Sequence, residues 1–149
     1  MASPRTHRTI RAAAVDDAAA VQELYGFGDV QEFTDRLADR RTAPGTTHYV
    51  AERDGQVVAA FAVTALGRLR PGGRRRLMLH EIKLRPSLRG AGVAEDILDW
   101  LAASRAVGTE TELLALAPLD QQPAGFAEFG LTESHRAFKR PVPDGGART

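Results

Sequence analysis

At 149 residues, with 43% hydrophobic and 26% charged residues, the chain has the composition of one soluble globular domain large enough to bury a core. A net charge of +1 excludes the one-signed field of a general nucleic-acid binder, and no apolar run approaches the length needed to cross a membrane. The lack of cysteine excludes disulfides, thiolate metal ligands and a cysteine nucleophile, and the four histidines, His7, His48, His80 and His135, lie too far apart for metal-ligand spacing, so no metal is expected.

The first residues, Met1 to Arg8, are basic but no apolar core follows them, so they are not read as a secretory signal and a cytoplasmic protein is expected. Residues 1–8 read as a flexible N-terminus, 9–140 as a single domain, and the Pro/Gly-rich 141–149 as a disordered tail. Thr9–Ala13 suits a first strand. Asp16 is placed to cap a helix carrying Ala18, Ala19, Ala20, Val21, Leu24 and Tyr25, which Gly26 and Gly28 end. Asp29 and Glu32 have capping-box spacing, and Val30, Phe33 and Leu37 then share one face of a second helix.

Thr46–Glu52 and Gln56–Thr64 read as strands joined by Asp54-Gly55, a strong two-residue hairpin signal. Gly67 to Arg76 reads as a flexible loop, basic through Arg68, Arg70, Arg74, Arg75 and Arg76, leading into a strand at Leu77–Leu84. A helix follows at Ala94–Leu101, with Trp100 among its core residues, then a strand at Thr111–Ala117. Asp120–Phe129 suits a short helix and Ser134–Arg140 a last strand. The order is β-α-α-β-β-β-α-β-α-β, an α/β chain with a mixed sheet and helices on both faces.

Between the strand ending at Leu84 and the helix starting near Ala94, the chain turns through Arg89-Gly90-Ala91-Gly92-Val93. A glycine turn that opens a helix leaves several backbone N–H groups unpaired and aimed one way, which suits a phosphate. The same glycines also serve a plain strand-to-helix turn, and the turn alone does not separate the two.

In this element order, Arg89-Gly90-Ala91-Gly92-Val93-Ala94 resembles the acyl-CoA signature Arg/Gln-x-x-Gly-x-Gly/Ala of the GCN5-related N-acetyltransferase (GNAT) superfamily. Leu84-Arg85-Pro86-Ser87-Leu88 is similar to the lead-in of that signature, with Leu88 where an aromatic is common. The resemblance spans residues 9–140 and implies a GNAT fold: a mostly antiparallel mixed sheet of six to seven strands, splayed between the fourth and fifth. It implies acetyl-CoA or another acyl-CoA as co-substrate, with the pyrophosphate on the backbone of Arg89, Gly90, Ala91, Gly92, Val93 and Ala94. It puts the pantetheine beside Ile82, Lys83 and Leu84, with Leu116, Ala117 and Pro118 near the other side, and a strand-four N–H at the thioester carbonyl. It implies N-acetyl transfer to a small-molecule amine in a ternary complex, and often a homodimer.

Amide formation needs a neutral amine, a polarised thioester and a proton for the leaving thiolate. His80 matches the place where arylalkylamine acetyltransferases, a GNAT branch, carry a strand-four histidine, and imidazole titrates near neutrality. Simple alternation turns Glu81 to the opposite face from His80 and puts Lys83 with Glu81. Glu81 and His80 are the candidate catalytic residues, Glu81 through a water or by binding a cationic amine. A plain Glu81–Lys83 pair and a satisfied core histidine are the structural alternatives. Glu32 and Asp35 fall where the family builds a wall of the acceptor site, and the basic loop suits an acidic partner or the CoA 3′-phosphate; both also suit solvated surface.

One position departs from the pattern. Aligned on Gly130, the family's thiolate-protonating tyrosine becomes Phe126, which has no proton to give. Asp120, Gln121 and Ser134, nearby in sequence, substitute only if the fold brings them to the sulfur, while Tyr25 and Tyr49 lie far off. The alternatives to an N-acyltransferase are therefore an acyl-CoA-binding module or a GNAT-fold enzyme of unusual chemistry. An ATP-binding α/β protein is disfavoured, because the sequence has neither Gly-Lys-Ser/Thr nor a dinucleotide fingerprint.

Overall fold

The computed structural model describes residues 8–39, 45–67, 75–86, 92–103, 111–116 and 131–143. The chain divides into two compact units, Met1–Leu119 and Asp120–Thr149. In the first unit β1 (Arg8–Ala12) is followed by a single 3-10 turn (Val15–Asp17), α1 (Ala18–Tyr25) and α2 (Val30–Ala38). Then come β2 (Thr46–Arg53), β3 (Gln56–Leu66), β4 (Arg75–Leu84), α3 (Val93–Ala103) and β5 (Thr111–Ala115). The strands form one sheet in the order β1-β2-β3-β4-β5, antiparallel except for the parallel pair β4–β5.

Local chemistry explains most boundaries. Asp54 and Gly55 both take left-handed backbone, φ 52° and 78°, the twist that a two-residue hairpin needs. Gly26, φ 75°, closes α1. Asp29 caps α2 reciprocally: its carboxylate accepts the Glu32 N–H at 2.8 Å, and the Glu32 carboxylate accepts the Asp29 N–H at 3.0 Å. The cap expected at Asp16 falls instead at Asp17, and its carboxylate is engaged elsewhere. Asp17 accepts the Ala14 N–H at 2.7 Å and both terminal nitrogens of Arg11, at 2.7 and 2.8 Å. Arg11 also donates from Nε to Glu52 at 3.0 Å. One guanidinium thus ties β1, β2 and the entry to α1. The Arg11 hydrogen bond holds the Asp17 carboxyl below the usual carboxylate range, with the Ala14 N–H assisting and burial opposing.

β3 is the middle of the sheet, and every residue from Val57 to Val63 is buried. One face, through Ala59, Phe61, Val63, Leu77 and Leu79, packs on Val93, Ile97 and Leu101 of α3. The other, through Val50, Val57 and Ala60, packs on α1 and on Phe33 of α2. Covering both faces is what makes β3 continuously apolar instead of alternating.

The sheet has five strands among the described residues, not the six to seven expected. The expected last strand, Ser134–Arg140, is not formed: residues 131–143 hold neither strand nor helix, and Phe138 is 90% exposed. Alternation alone does not make a strand; an edge must pair it, and Pro141 and Pro143 bring no donors to a ladder. The helix expected at 120–129 lies outside the described residues.

Candidate active site

The site is organised by a bulge in β4. Ala62 of β3 faces His80 and Ala60 faces Lys83, so the single residue Phe61 stands opposite both Glu81 and Ile82. Glu81 takes φ 52°, a left-handed backbone that costs a side-chain-bearing residue about 1–2 kcal/mol. The extra residue shifts the alternation. Leu77 and Leu79 before it, and Ile82 and Leu84 after it, all pack into the α3-side core. His80 and Lys83, paired with Ala62 and Ala60, share the α1-side face. The simple alternation that put Lys83 on the face opposite His80 is therefore corrected.

The bulge also redirects backbone groups. The Leu79 carbonyl points to β5, where it accepts the Leu116 N–H at 2.8 Å. The Arg85 N–H points to β3, where it bonds the Val58 carbonyl at 2.9 Å. In a regular strand these two residues would bond the same neighbour, since they are an even number of positions apart. The bulge switches the sides, so the N–H groups of Ile82 and Leu84 face away from β3. The β4–β5 pairing ends at Leu79 and Ala115, whereas β4 runs on to Leu84. Among the described residues nothing on β5 pairs with His80–Leu84, and the chain after Leu116, where the expected splay would show, lies outside the described residues.

From the other side, the last residue of α1 reaches the bulge. The Tyr25 hydroxyl donates to the Glu81 carbonyl at 2.5 Å. The Tyr25 ring stacks on Phe33, centroids 5.7 Å apart and planes 28° apart, and meets Phe27 edge-on at 6.1 Å. Burial first, then the Glu81 charge, pushes the phenol up to about 12. The Glu81 side chain is exposed, and among the described residues it forms no ion pair with Lys83. His80 is half-buried, and its Nε2 shares a 2.7 Å hydrogen bond with the Thr64 hydroxyl, which in turn meets the Thr46 hydroxyl at 2.7 Å. The carboxylates of Glu32 and Asp35 are engaged on α2 itself, Glu32 in the cap and Asp35 with Gln31 at 2.8 Å.

At the glycine turn, Gly92 has φ 76° and its carbonyl accepts the Asp96 N–H at 3.0 Å, closing the first turn of α3. A Cβ is disfavoured at that φ, which explains glycine here. Val93 is buried in the α3-side core and Ala94 lies in the first turn of the helix. Leu116, directly after β5, is 48% exposed. Arg89, Gly90 and Ala91 of the turn, with Ala117, Pro118, Asp120, Gln121 and Phe126, lie outside the described residues, and Ser134 belongs to the second unit.

Tyr25 is the residue that sequence spacing missed. It lies 56 positions from Glu81, and no local pattern links the last turn of a helix to the middle of a strand. Tyr49 is accounted for in the core, stacked on Phe61 at 5.4 Å and edge-on to Trp100 at 4.8 Å.

A sheet with one parallel pair, a bulged fourth strand and a glycine-led helix after it match the GNAT fold. Solved structures agree. An acetyltransferase from Trypanosoma brucei is similar over 91% of this chain and 100% of its own, with TM-score 0.71 and 21% identity. A glucosamine-6-phosphate N-acetyltransferase from Arabidopsis thaliana covers 91% and 98%, with TM-score 0.72 and 14% identity. A transcriptional regulator from Bacillus halodurans C-125 covers 91% and 100%, with TM-score 0.71 and 20% identity. No protein-family model matches the sequence, and neither does any curated protein sequence. At these identities the likeness establishes the fold, and a fold hosts many activities.

Proposed function

We propose that the chain is an acyl-CoA-dependent N-acyltransferase, moving an acetyl group from acetyl-CoA to a small-molecule amine. The observation that supports this best is the Glu81 bulge, which turns the N–H groups of Ile82 and Leu84 away from β3 beyond the end of the β4–β5 pairing. A donor aimed at a thioester carbonyl stabilises the oxyanion that forms when the amine attacks. One such donor is worth roughly 10²–10³ in rate. Gly92 and the first turn of α3 would receive the pyrophosphate together with Arg89, Gly90 and Ala91. Ile82, Lys83 and Leu84 would flank the pantetheine.

In this scheme Glu81 attracts the cationic amine or takes its proton through a water, and His80 is the second candidate base, oriented through Nε2 by Thr64. The neutral nitrogen attacks the carbonyl carbon, the C–S bond breaks as the C–N bond forms, and CoA leaves as the thiolate. With phenylalanine at position 126, the proton shed by the amine nitrogen is the one available to the thiolate. No cysteine offers a covalent stop, so both substrates are bound together. We place the reaction in the cytoplasm. No described helix is long and apolar enough to cross a membrane. The second reading, an acyl-CoA-binding module without turnover, rests on Phe126.

Calorimetry with acetyl-CoA, CoA and ATP tests the first step. Acetyl-CoA and CoA should bind and ATP should not; ATP binding without CoA binding would discard the proposal. Thiol release across an amine panel then separates enzyme from module. Glu81→Gln and His80→Gln are each expected to lower kcat by about 10²–10⁴, the usual contribution of a positioned base, with CoA affinity kept within a few-fold. If neither variant slows turnover, the base does not come from β4.

A further inference from the structure

We infer that Tyr25 is a positioning residue for acyl transfer: its hydroxyl locks the Glu81–Ile82 peptide and thereby aims the Ile82 N–H. This rests on the acyltransfer reading above and adds a residue that the glycine turn and the β4 side chains do not reveal.

The geometry of one peptide carries the inference. A trans peptide is planar, with its C=O and N–H pointing in opposite directions. The Glu81 carbonyl accepts the Tyr25 hydroxyl at 2.5 Å. Fixing that carbonyl toward α1 fixes the Ile82 N–H on the opposite side of the same plane. Glu81 sits at φ 52°, a conformation that persists only where its surroundings hold it. The described contact on this carbonyl comes from a helix, across the α1-side face of the sheet, not from a strand neighbour. The donor is itself held: the Tyr25 ring is stacked on Phe33, and the main chain turns directly after it at Gly26, φ 75°.

The same contact says what Tyr25 does not do. A phenol has one proton, and this one is committed to the Glu81 carbonyl. Burial and the Glu81 charge keep it in place across the physiological range. Tyr25 is thus unsuited to replace the tyrosine missing at position 126 as the acid for the thiolate. It acts through the backbone of another residue. The folded chain uses this tyrosine to aim an amide, not to protonate the sulfur.

Tyr25→Phe is the test, because it keeps the ring and its stacking and removes only the hydroxyl. With acetyl-CoA and whichever amine of the panel turns over, kcat should fall about 10- to 100-fold. KM for the amine and the affinity for CoA, which lacks the carbonyl, should stay within about threefold. In ¹⁵N–¹H spectra the Ile82 amide of the free wild type should give one sharp peak that moves more with acetyl-CoA than with CoA. In Tyr25→Phe that peak should shift and broaden, and the acetyl-dependent movement should shrink. Unchanged kcat, or an Ile82 amide identical in the two free proteins, would overturn the inference. If the wild type binds no acyl-CoA, the acyltransfer reading fails with it. The lock on the peptide is then decided by the free-protein spectra alone.

Discussion

Replacing Phe61 with alanine is expected to lower the stability of the fold by about 3–5 kcal/mol, the range for a buried aromatic truncated to a methyl. In a chain of this size that is a fall in Tm of roughly 10 °C. Phe61 is 1% exposed, stacked on Tyr49 at 5.4 Å and edge-on to Trp100 at 6.2 Å. It joins three elements, β2, β3 and α3, in one aromatic layer. It is also the residue opposite the Glu81–Ile82 bulge, and Ile82 packs against the same core. A cavity here loosens the strand that carries the candidate donors. Phe61→Leu keeps most of the volume and should cost less than about 1.5 kcal/mol if the core repacks. Urea unfolding of the two variants checks this. A loss below 1 kcal/mol in Phe61→Ala would mean that the ring is not part of the packed core.

Asp17→Asn is expected to cost about 2 kcal/mol at pH 7, from the range for hydrogen bonds to charged groups taken low because Arg11 is partly exposed. The Asp17 side chain is 9% exposed and that of Arg11 36%. Arg11 keeps Glu52 as a partner in the variant, so no charge is left buried alone. The pH dependence has a definite sign. The folded-state pKa of Asp17 is lowered from its ordinary 3.8, chiefly by Arg11. The unfolded chain therefore binds the proton first as pH falls. The stabilisation is fully present above about pH 5, declines as pH falls through the ordinary value, and is gone below the folded pKa. Wild type and Asp17→Asn should differ at pH 7 and converge in acid. Parallel stability curves down to pH 2 would show that the Arg11–Asp17 pair contributes nothing.

Elements with a local cause were legible in the chain. The hairpin at Asp54-Gly55 follows from two residues that tolerate positive φ, and the start of α2 from reciprocal bonds between Asp29 and Glu32. The end of α1 follows from Gly26, and the break before α3 from Gly92. These are choices made within a few residues, so composition and spacing suffice. The order of elements was legible from periodicity and turn residues, and the described elements follow it as far as Ala115. The strand at Ser134–Arg140 was misjudged because pairing, not alternation, makes a strand.

The site itself divides the same way. Of its candidate parts, the glycine turn came from residue types and their spacing, and Glu81, His80 and the β4 segment came from the resemblance. Their arrangement did not. No strand pattern announces an extra residue at Glu81, because a bulge is decided by what the two neighbouring strands and the packed faces require. With it went the sides of Lys83 and Ile82 and the directions of two N–H groups. Tyr25 entered only through the tertiary structure, for contacts 56 residues apart are set by how α1 packs on the sheet. The sequence by itself determined the local elements and the chemical groups on offer, since these depend on near neighbours. Only the tertiary structure decided where the β4 bulge falls and which side chain meets its carbonyl, since that depends on surfaces meeting across the sheet.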